Sequence, residues 1–190
     1  MSTLQITQDE AADEVLSTNA FALLAGMLLD QQFPMERAFA GPAKILDRFG
    51  TLDPDTIASA PPEEFAAVCA TPPAVHRFPG AMAARIQELA RHVVGEYDGR
   101  AASLWESAPT GAELLRRVQA LPGFGKQKAQ IFVALLGKQL DVRPAGWEQA
   151  AGVYAEEGSY RSVADVRDAA SLDKVRSFKK AQKAAAKAGG

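Results

Sequence analysis

The sequence predicts an all-α fold, and three observations carry that expectation. Apolar residues recur at three- and four-residue steps: Phe21, Leu24, Leu28 and Leu29; then Phe39, Ile45, Leu46 and Phe49; then Ile86, Leu89, Val93 and Val94. No alternating apolar–polar run of useful length occurs, so no substantial sheet is expected, and residues 140–142 are the one candidate extended stretch. Aromatic residues make up only 7% of the chain while alanine-rich segments run throughout, which suits helix packing better than a β-sandwich.

The elements follow in order. The first apolar stripe predicts a helix over 20–29. The second predicts one over 35–49, stopped by Gly50. Asp53-Pro54 reads as a cap followed by proline in the first turn, and Pro62-Glu63-Glu64 repeats the signal, giving short helices over 54–59 and 62–69. Thr71-Pro72-Pro73 is a loop, because consecutive prolines hold their neighbours extended. A helix over 81–97 ends at the turn dipeptide Asp98-Gly99. Thr110 and Glu113 form a capping-box pattern that opens a helix with Leu114, Leu115 and Val118 inward. A tight turn over 121–125 leads to a helix marked by Ile131, Phe132, Leu135 and Leu136 and closed by Gly137. Ser162 and Asp165 repeat the capping-box pattern, and a last helix is expected from near Leu172. No internal repeat at solenoid periods is present.

With 190 residues, 47% of them hydrophobic and 23% charged, the chain suits one domain or two small lobes sharing a core. The apolar content excludes disorder throughout. One cysteine, Cys69, excludes an intramolecular disulfide framework, a Cys-ligated iron–sulfur cluster and a cysteine-rich zinc site, and a reducing cytosol is the natural setting. Formal net charge is only −2, unevenly spread. Residues 1–20 hold Asp9, Glu10, Asp13 and Glu14 with no Lys or Arg; residues 171–190 hold five lysines and Arg176 against Asp173 alone. Such a basic end reads either as a solvated tail or as a cationic arm that binds phosphate. The early apolar run is shorter than a membrane span requires and follows acids rather than a basic leader, so a soluble, cytoplasmic protein is expected.

The stretch richest in chemistry is Leu121-Pro122-Gly123-Phe124-Gly125-Lys126-Gln127-Lys128-Ala129. Pro122 fixes the entry to the turn, while Gly123 and Gly125 permit positive φ and remove Cβ atoms from the path of a ligand. The helix that follows aims free N–H groups outward, an arrangement that binds phosphate. Lys126 and Lys128 sit at the helix end that disfavours cations, and an anion held at the turn accounts for them. The alternative is a plain connection between two bundle helices.

This stretch resembles the hairpin of the helix-hairpin-helix (HhH-GPD) DNA glycosylases, the endonuclease III and alkyl-base glycosylase group. Leu28-Leu29-Asp30-Gln31-Gln32 is similar to the superfamily's early helix, and the 82–97 helix followed by Gly99 is similar to its inter-lobe segment. The resemblance spans residues 20–145. It implies a two-lobed helical domain over 1–170 with the hairpin at 112–137, followed by a basic tail over 171–190. It also implies duplex DNA gripped between the lobes by a monomer associated with the nucleoid. Leu121, Gly123, Phe124, Gly125, Lys126, Gln127 and Lys128 would hold backbone phosphate, with a monovalent cation on the turn carbonyls. Gln31 or Gln32, the latter favoured by register, would fill the gap left by an extruded base, since a glycosidic bond inside the stack is out of reach. No organic cofactor and no iron–sulfur cluster is implied.

Two departures from that pattern matter. Bifunctional members carry a Schiff-base lysine where this chain has Gln127, and an amide is not a nucleophile, so strand cleavage is not expected. The superfamily's essential aspartate lies about 18–20 residues further on, where it stabilises developing positive charge or activates water. Ala145, Gly146 and Trp147 occupy that place here; the nearest acids are Asp141 and Glu148. Asp141 is the first candidate catalytic carboxylate and Glu148 the second. Trp147 reads either as a stacking surface for an extruded base or as core packing. The sequence thus supports a monofunctional base-excision glycosylase, with a DNA-binding module of the same fold as the alternative.

Overall fold

The computed structural model describes residues 4–189. Eleven α-helices form among the described residues: α1 (Glu10–Thr18), α2 (Ala20–Leu29), α3 (Met35–Phe49), α4 (Pro54–Ser59), α5 (Pro62–Ala70), α6 (Pro79–Tyr97), α7 (Ser103–Glu106), α8 (Gly111–Gln119), α9 (Lys126–Gln139), α10 (Trp147–Ala151) and α11 (Ala169–Ala188). Residues 152–155 and 163–165 add two 3-10 turns. The all-α expectation is met: pairing of strand type is limited, among the described residues, to one bridge between Thr110 and Ala145.

α2 is the hub. Its sequence, almost wholly Ala, Leu, Phe and Met, buries nine of its ten residues, because it is surrounded rather than amphipathic. It packs on α1 and α3, while α4 and α5 lean on α6. Asp9 and Asn19 start α1 and α2 by accepting from the N–H groups of Ala12 and Ala22, each at 2.9 Å. The second group of helices is the α8–α9 hairpin with α10 and both 3-10 turns packed against α9. One hydrophobic core runs through both groups. No single helix among the described residues is long and apolar enough to cross a membrane.

Several sequence expectations are corrected. α1 is a helix that the apolar spacing does not announce. Residues 140–142 are not a strand: Asp141 takes φ 57 and the Val142 N–H returns to Leu136 O. Ser162 does cap, accepting from the Ala164 N–H at 3.2 Å, but it opens only a 3-10 turn. Asp165 there is consumed by Lys138, 2.6 Å away, both side chains 5% exposed. The capping box of the last helix lies at Asp168 and Ser171, so α11 starts at Ala169 and stays helical through the basic end. His76, in the loop after Pro73, is buried at 2% exposure.

Candidate nucleic-acid interface

The hairpin forms as its residue types require. Thr110 Oγ1 accepts from the Glu113 N–H (3.1 Å) to start α8. In the turn, Phe124 N–H closes onto Leu121 O (3.1 Å), and Leu121 and Phe124 are buried, with the Phe124 ring edge-on to Phe132 at 6.3 Å. These two anchor the turn from within. Gly123 has φ 83 and lies so close to α2 that a Cβ there would meet Leu28 Cδ1 at 2.6 Å, so only glycine fits both demands. Gly125 faces open space and caps α9 without a side-chain bond, leaving the first-turn N–H groups of α9 turned outward. Lys126 is exposed beside them.

Lys128 behaves differently. Its ammonium reaches the C-terminal end of α2 and donates to Met27 O at 2.7 Å, to Asp30 O at 3.2 Å and to Leu28 O at 3.4 Å. Burial pushes its pKa down to about 8 against the opposing pull of Asp30. The charge thus sits on the carbonyls that a helix C-terminus leaves unpaired. Gln127, one residue earlier, is exposed and donates to the Tyr154 hydroxyl at 2.9 Å.

Opposite the hairpin, the loop after α2 presents the two glutamines in different ways. Gln31 is pinned: its Nε2 donates to Leu28 O (2.8 Å), its Oε1 accepts from Arg85 (3.0 Å), and its carbonyl accepts from His76 Nε2 (2.8 Å). His76 Nδ1 accepts from the Phe78 N–H at 2.9 Å, which fixes a neutral ring with its proton on Nε2. Gln32 is exposed in the left-handed region at φ 52, and its side chain makes no hydrogen bond among the described residues. His76, held on this loop, stands next to Phe78, whose ring lies 5.9 Å from the imidazole and is 45% exposed with Arg77 over it at 5.4 Å. Sequence reasoning missed Phe78; an exposed aromatic after a buried histidine has no local signature.

Between loop and hairpin lies a cleft of about 530 Å³. Asp30, Gln31 and Gln32 line one side, Gln127 and Lys128 the other, and Lys179, Gln182 and Lys183 of α11 close a third. α11 is held there by ion pairs from Lys179 to Asp30 (3.7 Å) and from Arg176 to Glu36 (3.4 Å).

Three sequence candidates lie elsewhere. Asp141 follows the far end of α9, about 20 Å along that helix from the hairpin. Its side chain is 90% exposed and its partner is Arg143 at 3.5 Å. Glu148 is exposed in the first turn of α10. Trp147 is 9% exposed, its backbone against Gly111 and its ring on Gly137, so it packs as core and does not line the cleft. Ala145 O accepts from the Gly111 N–H at 2.8 Å, which fixes this segment to the start of α8 and away from Gln127.

Comparisons with curated proteins and with solved structures return no match. The family model of the HhH-GPD superfamily base excision DNA repair protein matches residues 25–188, the span that holds loop, hairpin and cleft. The chain belongs to the HhH-GPD superfamily of base excision DNA repair proteins.

Proposed function

We propose that this chain is a monofunctional DNA glycosylase that hydrolyses the N-glycosidic bond of a damaged or mispaired base drawn out of duplex DNA. One juxtaposition carries the reading: Gln32, unbonded and exposed on its loop, lines a cleft roomy enough for a base whose other wall is the start of α9, where outward N–H groups and the exposed Lys126 suit a backbone phosphate. Gln32 fills the vacated place in the stack, and Phe78, next to the His76 that holds the loop, offers an exposed apolar ring to the duplex. The hairpin holds one strand while the base enters the cleft.

Hydrolysis without strand cleavage follows from the side chains at the α9 end of the cleft. Gln127 supplies no nucleophilic amine, and the Lys128 amine is engaged with three carbonyls of the α2 end. A monovalent cation fits the hairpin: Leu121 O accepts one N–H, and a carbonyl oxygen retains a second lone pair for an ion. Such an ion would offset phosphate charge at the turn. We place the protein as a monomer on chromosomal DNA in the cytoplasm.

A second reading, DNA binding without chemistry, draws support from the absence of an acid at Ala145, Gly146 and Trp147. Single-turnover assays on duplexes bearing uracil, thymine mispairs, alkylated and oxidised bases separate the two. Base release without strand scission, and no borohydride-trapped adduct on abasic DNA, is the expected result. Tight duplex binding with no release from any substrate favours the second reading.

A further inference from the structure

The cleft is not without a carboxylate, because Asp30 is there. Asp30 is the only acidic residue among those lining the cleft, its side chain is 9% exposed, and it caps α2 immediately before Gln31 and Gln32. An acid in a groove that faces phosphate weakens DNA binding by repulsion, so its presence calls for a role. The negative end of α2, a helix almost wholly buried, adds to its field. Lys128 gives its hydrogen bonds to the backbone carbonyls around it, Asp30 O included, and acts on the carboxylate only through its field. The carboxylate's own counter-charge, Lys179, sits 3.7 Å away on the largely exposed second half of α11, where a phosphate can take it over.

We propose that Asp30 is the catalytic carboxylate of this chain, in place of the acid missing at Ala145, Gly146 and Trp147. The inference rests on the glycosylase reading above. As the C1′–N bond breaks, its electron pair leaves with the base, which takes a proton from solvent. The carboxylate faces the positive charge growing on the sugar. Water adds its oxygen to C1′ and gives its proton to Asp30, which later returns it to solvent.

The test does not depend on knowing the lesion. Two duplexes are compared, one with a neutral tetrahydrofuran abasic nucleotide and one with a pyrrolidine nucleotide whose ring nitrogen is cationic where charge develops. Wild type is expected to prefer the cationic duplex by at least about tenfold. Asp30→Asn is expected to lose that preference while binding the neutral duplex at least as tightly as wild type does, because a repulsive charge leaves the groove and Lys179 is freed. Asp47→Asn, which removes an exposed negative charge on α3 outside the cleft, is expected to keep the preference, and circular dichroism of each variant checks folding. Should Asp30→Asn keep the preference while Asp141→Asn or Glu148→Gln loses it, Asp30 is overturned and the glycosylase reading stands. A wild type that grips both duplexes equally also overturns Asp30 and favours binding without chemistry. Absence of binding to either duplex overturns both readings.

Discussion

Lys128 Nζ donates to Met27 O at 2.7 Å across 101 residues of sequence, and so bolts the hairpin helix α9 to the end of α2. The two elements expected to touch DNA, the turn before α9 and the loop after α2, are thereby fixed relative to each other by one buried ammonium. Gly123 sets the same approach sterically, since its missing Cβ admits Leu28. A glycine and a lysine five residues apart hold the jaws at one spacing.

That ammonium has a cost which depends on pH. In the fold Lys128 titrates at about 8, lowered by burial; in the unfolded chain it titrates at about 10.4. Below about pH 8 both states hold the proton and the fold bears the full burial penalty. Between about 8 and 10.4 the unfolded chain binds more protons, so this group's contribution to stability rises with pH. Urea unfolding at pH 7.5, 8.5 and 9.5 is expected to show a more positive slope for wild type than for Lys128→Met, by up to about 1.4 kcal/mol per pH unit. Equal slopes would mean that Lys128 keeps an ordinary proton affinity.

The placement of Trp147 predicts a stability effect and no DNA effect. Trp147→Ala removes a buried ring and is expected to destabilise by about 3–5 kcal/mol. Gly137→Ala places a Cβ into that ring and is expected to cost about 1–3 kcal/mol. Combined with Trp147→Phe, whose ring is smaller, the Gly137→Ala penalty should shrink, a coupling that a double-mutant cycle in urea reads directly. Duplex affinity, measured where each variant is folded, is expected to stay at the wild-type value. A selective loss of affinity for an extruded base, at unchanged stability, would put Trp147 in the pocket instead.

Much of this geometry is legible in the sequence because it is local. Thr110 caps α8, the glycines open the turn, and Leu121 and Phe124 anchor it, all within one short segment. Gln32 is separated from Gln31 only in part: register favours it, and the positive φ that leaves its side chain free is set by the fold. What is not legible depends on distant partners. Lys128 reads as a surface lysine until α2 arrives, and Asp30 as a helix-end acid until the cleft forms around it. Asp141, the sequence's first carboxylate candidate, is the reverse case. Its spacing from Gln127 is shorter than the superfamily's and needs a shortened connection to serve, yet Ala145 is tied to Gly111, and the chain returns to the level of Gln127 only at Tyr154. Residues 179–188 show the same limit, since composition alone does not distinguish a loose tail from a helix laid along a cleft.

Three lysines of the hairpin and the cleft, Lys126, Lys128 and Lys183, should separate in their response to salt. Lys126 is exposed beside the outward N–H groups and has no hydrogen-bond or ion-pair partner among the described residues; Lys183 lines the cleft from the exposed half of α11. A lysine that neutralises one phosphate releases condensed counterions, so its removal lowers the slope of log K against log salt by about 0.9. Lys126→Ala and Lys183→Ala are each expected to show that drop, with affinity falling by a similar factor for every duplex sequence. Lys128→Met is expected to weaken binding with its slope unchanged, because that charge is spent on α2 carbonyls and its loss loosens the jaws instead. Fluorescence anisotropy across a salt series from about 50 to 200 mM resolves the difference. A slope unaltered in Lys126→Ala would remove the hairpin from the DNA contact, and a reduced slope in Lys128→Met would mean that its ammonium leaves Met27 for phosphate when DNA binds.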